Sequence, residues 1–273
     1  MVTSNPTPAG KDKRKLAAAS RGNAGSIDSA DVLLLTAQRL FAEKGIDGVS
    51  MREIAREAGQ RNNSALHYHF GSKEALMQAI LQGGMREINE LRNDYIDQLY
   101  SSERHGELRG LVEAIVWPLA SRLVTSRGNT YNRFLAAAQV YPDFDLAAST
   151  REEEDRGFRR IQELLQRALP DMPELLLRQR YLAGVSFVIF SLADYERMGA
   201  RRSKRQRPFD LQRAIENLID MVAGAIAAPI SPQVLARLAA HDAADEPPEP
   251  APAPPAPPAP PAPRKAAAKR AAG

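Results

Sequence analysis

The chain is predicted to be all-α, and three observations carry the prediction. Apolar residues recur at three- and four-residue spacing from Ala30 to Ile226, and no run alternates with the period of two that a half-buried strand needs. Start and stop signals stand where that spacing begins and ends. Ser50 precedes Glu53 by three residues, Ser72 precedes the Leu76 stripe, and Gly45 and Gly59 follow two apolar stretches. Prolines gather between the periodic segments and in the tail, where eleven of the seventeen residues from 247 to 263 are proline. With 44% hydrophobic residues in 273, the chain can bury the core of one large or two ordinary domains.

Taken in order, residues 1–26 are rich in Ala, Ser, Gly and Lys without usable periodicity and read as a disordered basic arm. Asp28 or Ser29 then caps a helix whose stripe is Ala30, Leu33, Leu34, Ala37, Leu40 and Phe41, ending at Gly45. The Ser50 hydroxyl can take the Glu53 amide while the Glu53 carboxylate reaches back, so a second helix starts there. Met51, Ile54, Ala55 and Ala58 share its buried face, and Gly59 supplies the left-handed residue that stops it. Ala65, Leu66 and Phe70 outline a third helix, too short to persist unless it docks on the second. Two short helices joined by a glycine-containing turn are the outline of a helix-turn-helix. The outward face of the third then carries Gln60, Arg61, Asn62, Asn63, Ser64, His67 and Tyr68, side chains suited to base edges and phosphates.

Ser72 caps a fourth helix running through Leu76, Ile80, Ile88, Leu91 and Leu99, with Gly83 and Gly84 in its middle. Each glycine costs about 1 kcal/mol relative to alanine, so the pair is either a close packing point or a bend, and a soft joint between domains is expected. Further helical segments follow at roughly 108–127, 130–141, 146–169, 173–198 and 209–228. The fourth of these is apolar around much of its circumference and must be buried on more than one side. Gln233 to Ala240 adds a short helix. The Pro/Ala-rich stretch favours extended polyproline II and projects Arg264, Lys265, Lys269 and Arg270 away from the core. The expected division is therefore 1–26 basic arm, 27–81 helix-turn-helix domain, 82–241 helical domain, and 242–273 Pro/Ala-rich linker with basic tail.

The run LFAEKGIDGVSMREIAREAG followed by YHFGSKEAL resembles the DNA-binding domain of TetR/AcrR-type transcriptional regulators. Phe41 with Gly45, Ile54-Ala55, Ala58-Gly59, His69-Phe70 and Ser72-Lys73 occur together and in order. The chain departs from the family pattern by one extra residue between Gly59 and Phe70. His67 thus stands at the usual tyrosine position with Tyr68 beside it, and the third helix starts one residue later or follows a looser turn. By base chemistry, Asn62 and Asn63 suit adenine, Arg61 suits guanine and Ala65 suits a thymine methyl. The resemblance implies phosphate contacts at Ser50, Tyr68, His69 and Lys73. It also implies a homodimer formed by the last two core helices, a palindromic operator on double-stranded DNA, and a C-terminal ligand-binding and dimerisation domain. A small hydrophobic effector would release the repressor. Trp117, Phe134, Tyr141 and Phe158 are the large rings expected to line its pocket.

Of the 37 basic residues, nine lie in residues 1–21 and 264–273, leaving 28 against 32 acidic residues between. The folded part is mildly acidic, and broad attraction to DNA belongs to the two ends. An architectural or nonspecific DNA-binding protein using those basic termini is the alternative reading. There is no cysteine, hence no disulfide or thiolate site. His67 and His69, two apart on a helix, point in opposed directions, so no metal site is expected. No Gly-flanked nucleophile or phosphate-binding glycine loop appears, so neither catalysis nor a cofactor is expected. The longest apolar stretch, Leu182 to Ala193, is shorter than the ~20 residues of a bilayer span. A cytoplasmic protein with no membrane partner is expected.

Overall fold

Every regular element among the described residues of the computed structural model is an α-helix. The structure describes residues 29–60, 64–125, 129–146, 148–150, 153, 155–200 and 209–245. The basic arm, Arg61 to Asn63, the basic loop 201–207 and the tail from 246 lie outside them. The elements are α1 (Ser29–Lys44), α2 (Met51–Glu57), α3 (Ser64–Phe70), α4 (Lys73–Ser101) and α5 (Leu108–Thr125). They continue with α6 (Tyr131–Gln139), α7 (Arg156–Ala168), α8 (Glu174–Ala200), α9 (Leu211–Ile226) and α10 (Pro232–Asp245).

The head is assembled by local signals. Gly45, Gly59 and Gly71 end α1, α2 and α3 with φ of +77°, +73° and +73°, where a side chain would be strained. Ser50 Oγ accepts the Glu53 amide at 3.2 Å and Ser72 Oγ accepts the Ala75 amide at 3.1 Å, so both expected caps form. The described part of α3 begins at Ser64, so the later start expected from the extra residue after Gly59 falls at Arg61 to Asn63, outside the described residues.

One apolar cluster runs from Leu33 and Phe41 of α1, through Leu66 of α3, to Ile219 and Ile226 of α9. α4 crosses it unbroken. Gly84 is a packing point: a Cβ there would lie 2.1 Å from Cζ of Tyr131, whose hydroxyl donates to the Leu81 carbonyl at 3.0 Å. Gly83, by contrast, faces open space.

α7 begins ten residues later than the expected 146. Asp145 Oδ1 accepts the Ala148 amide at 3.0 Å and turns the chain, and Asn89 of α4 takes the Gly157 amide at 2.7 Å, which fixes the first turn of α7 against α4. α8 is longer and more continuously apolar than the Leu182–Ala193 stretch suggests, and by length and composition it would reach across a bilayer. Its Leu177, Tyr181, Val188, Ile189 and Leu192 are buried in the common cluster, so they serve as core. Residues up to Ala228 form one compact unit and those from Pro229 another. The described part of the second is α10, longer than the expected short helix, with Ser231 Oγ accepting the Val234 amide.

Candidate nucleic-acid interface and effector core

α2 and α3 owe their placement to a few residues. The Glu53 carboxyl is held below the usual glutamate range first by its hydrogen bond from Lys44, with the Ser50 amide contributing; the Lys44 bond is 2.6 Å long. The Gln60 amide donates to the Ala55 carbonyl at 2.9 Å and closes the turn. On α3, Leu66 is wholly buried and anchors the helix, while His67, Tyr68 and His69 are exposed, Tyr68 to 87%. The Nδ1 of His67 meets the Gly71 carbonyl at 3.0 Å. A carbonyl only accepts, so Nδ1 is the donor in this contact. Tyr68 and His69 meet edge to face at 5.5 Å.

Ser50 is exposed beside its cap bond. Lys73 is half-buried and donates to the Ile46 carbonyl at 2.7 Å, pinning the loop after α1 to the start of α4. Ser64 and Ala65 open α3, but their side chains, like Arg61, Asn62 and Asn63, are outside what the structure describes.

The four rings expected at the effector site are spread through the interior. Phe134 is fully buried between Phe41 of the head, 6.3 Å away, and Tyr131, at 6.0 Å. Trp117, Tyr141 and Phe158 are partly buried against the core. Burial pushes the Tyr141 phenol up, with Asp47, Asp143 and Glu74 adding to the effect, so this ring stands near the head. Phe158 packs on Tyr181 at 4.4 Å. Among the described residues no ring contact links the four to one another. A groove of about 440 Å³ between α7 and α8 is lined by Arg159, Gln162, Gln166, Leu177 and Arg178, with none of the four rings in its wall.

The structure adds residues that sequence reasoning passed over. Thr130, at the N-cap of α6, makes no cap bond; its hydroxyl accepts from Gln38 of α1 at 3.1 Å. Glu196 of α8 caps α6 in its place. Its carboxylate accepts the Asn132 and Arg133 amides and the Asn132 side-chain amide, each at 3.0 Å. Burial pushes this carboxyl up, and those hydrogen bonds and Arg133 oppose the shift. Arg122 lies over the Tyr131 ring, 4.7 Å from its centroid, and pairs with Glu87. Arg92 of α4 is 6% exposed, and its Nε finds no hydrogen-bond partner. The signal for Arg92 is present in the sequence: it falls four residues from both Ile88 and Ile96, on the buried stripe of α4.

Two family models match. One, described as bacterial regulatory proteins of the tetR family, covers residues 33–80, and the other, a tetracyclin repressor-like C-terminal domain, covers 113–225. The HTH-type transcriptional repressor KstR2 of Rhodococcus jostii (strain RHA1) is 31% identical over 111 residues. That match takes in 41% of this chain and 47% of KstR2, so the chain spans about half the length of this relative. PfmR, a TetR family transcriptional regulator from Thermus thermophilus, has a TM-score of 0.47 at 18% identity, covering 70% of this chain and 96% of PfmR. NalD, the secondary repressor of the MexAB-OprM multidrug efflux pump in Pseudomonas aeruginosa, has a TM-score of 0.44 at 21% identity, covering 72% and 96%. Since one model matches the head and the other the greater part of the helical body, this chain belongs to the TetR family of bacterial regulatory proteins.

Proposed function

We propose that the protein is a ligand-responsive, DNA-binding transcriptional regulator, a repressor that holds a palindromic operator as a homodimer and is released by a small hydrophobic effector. The observation that supports this best is α3, where Leu66 is buried and three consecutive ring side chains, His67 to His69, are bare. A helix anchored through Leu66 and Phe70 has its opposite face available for a groove. Arg61 to Ala65 would read bases beside it, with Ser50, Tyr68, His69 and Lys73 on phosphates. The division at 26/27, 81/82 and 241/242 is then functional: arm, reading head, effector and dimer body, tail. The reading is of a non-catalytic, cytoplasmic protein that needs no cofactor.

The homodimer is supported by a second surface. Leu175, Leu182, Phe187, Phe190 and Met198 are exposed along one side of α8, and Met221 is exposed on α9. An apolar stripe of this length suits a self-complementary interface between two copies. Two heads would then meet half-sites about one helical turn, ~34 Å, apart.

Footprinting of the full chain on genomic DNA tests the proposal. A protected palindrome, lost in Tyr68→Ala, is expected. Uniform binding to random DNA, with a steep salt dependence unchanged by Tyr68→Ala, would favour the architectural alternative that the basic ends suggest.

A further inference from the structure

Thr130 stands at the N-cap of α6, and a threonine there ordinarily turns its own hydroxyl to the second or third amide of the helix. It does not do so. Ser50, Ser72 and Asp210 cap their helices from extended backbone, with ψ of 154°, 168° and 92°, and each takes the amide three residues on. Thr130 has ψ of 13° and makes no cap bond. The amides it would take are already occupied, because the Glu196 carboxylate accepts both the Asn132 and the Arg133 amide. Asn129 Oδ1 accepts the Tyr131 amide before them, at 2.8 Å. Thr130 is buried, so its hydroxyl needs a partner inside the protein, and it accepts from Gln38 of the head.

The same groups have a second arrangement open to them. In the one observed, α8 supplies the cap and the Thr130 hydroxyl serves the head. In the other, a change of ψ at Thr130 brings its hydroxyl to the Asn132 or Arg133 amide, Glu196 stands away, and Gln38 loses its acceptor. Glu196 is placed to be withdrawn. The far end of α6 is tied to α8 by Gln139, which donates to Ser186 Oγ. Ser186 lies ten residues before Glu196, about 15 Å along the helix, so a tilt of α8 about that tie moves the carboxylate while the two helices stay together. α8 also carries Leu182, Phe187, Phe190 and Met198 on its exposed side, so the partner copy of the proposed homodimer bears on it directly.

We propose that Thr130 and Glu196 compete to cap α6, and that this exchange couples the position of α8 to the body's hold on the head. While Glu196 caps α6, Thr130 holds Gln38; when α8 takes Glu196 away, Thr130 caps α6 itself and drops the head. Both are positioning residues that act through Gln38. Two discrete arrangements that differ in which residue caps a helix are the kind of element two distant sites can both bias. The inference rests on the regulator reading above for what the head does.

The test uses the full-length protein, its operator from footprinting, and the variants Gln38→Ala, Glu196→Ala and the two combined. Gln38→Ala removes one hydrogen bond between head and body and should weaken operator binding roughly two- to tenfold. Glu196→Ala hands the amides to Thr130 and should weaken binding by a similar factor. The double variant should bind no more weakly than Glu196→Ala, because the Gln38 bond is already gone. A crystal structure of Glu196→Ala should show Thr130 in extended backbone with its hydroxyl on the Asn132 or Arg133 amide. If Glu196→Ala does not fold, Glu196→Gln, with one acceptor oxygen for two backbone amides, replaces it in both measurements. The proposal is overturned if Gln38→Ala leaves operator affinity unchanged, if it weakens binding equally in both backgrounds, or if Thr130 still meets Gln38 once the carboxylate is gone. A purely structural cap predicts additive losses and an unmoved Thr130. An operator with additive losses sinks this inference alone. The lack of any operator sinks the regulator reading, and the variant structure still decides the exchange.

Discussion

The head and the body are both helical, but their helices are held by different means. α2 and α4 are capped by Ser50 and Ser72, each bonding an amide three residues on. α6 and α7 are capped by Glu196 and Asn89, which lie 64 and 68 residues away in sequence. A locally capped helix carries its own instruction and needs its neighbour only to bury one face, as α2 does through Ile54 and Ala55. A remotely capped helix exists in its register only because other helices hold it there. The head can therefore keep its shape while the body rearranges, which is the division of labour a switch requires.

This contrast makes predictions, from the largest effect to the smallest. Leu66→Ala removes the fully buried core anchor of α3, with Phe70 left only partly buried against the core, and should cost about 2–5 kcal/mol, read as a shift in the urea midpoint together with loss of operator binding. If binding survived with the stability loss, the head would not depend on docked α3. Gly84→Ala drives a methyl into the Tyr131 ring and should cost about 1–3 kcal/mol. Gly83→Ala, facing open space, should stabilise by about 0.5–1 kcal/mol. Equal effects at the two glycines would mean that the pair is the flexible joint the sequence suggests and not a packing contact.

Glu196→Ala leaves the Asn132 and Arg133 backbone amides without their acceptor, while the Asn132 side-chain amide keeps the Leu119 carbonyl, at about 1–3 kcal/mol. Its carboxyl titrates above the ordinary 4.5 in the folded protein because of burial. The native state therefore holds a proton that the unfolded chain has released, and Glu196 makes stability fall as pH rises from 4.5 through the folded value. Denaturant midpoints for wild type and Glu196→Gln between about pH 4 and about pH 7 should diverge, the variant lacking this decline. Parallel curves would show that burial does not shift the group. Tyr68→Ala, at an exposed site, should change stability by no more than about 0.5 kcal/mol while weakening operator binding in a gel shift.

The same contrast explains what the sequence discloses. Ser50, Ser72, Gly59 and the α3 stripe act within a few residues of themselves, so the head is legible at once. The α8 and α9 stripes are equally legible because a continuous apolar face is a local pattern. The start of α7 is not, because the acceptor that fixes it sits on α4. Glu196 looks like any acid near a helix end, and nothing in the linear chain says that α6 will lie against it. The rings expected at the effector site stand out by size, and size does not distinguish Phe134, fully buried beside Phe41, from Phe158, which packs near a buried charge. Arg92 is one among 37 basic residues, distinguished by its place on an apolar stripe.

The contact at Gly84 has a mechanical consequence. With no side chain there, the Tyr131 ring rests on the α4 backbone and its hydroxyl is tied to Leu81, so α4 and α6 are meshed like a pawl in a ratchet. A slip of one residue toward Met85, about 1.5 Å of helical rise, would bring a side chain under the ring and jam it. The two helices can then advance as a pair or disengage entirely, and a pull on either reaches α1 through Phe134 and Gln38 in discrete steps.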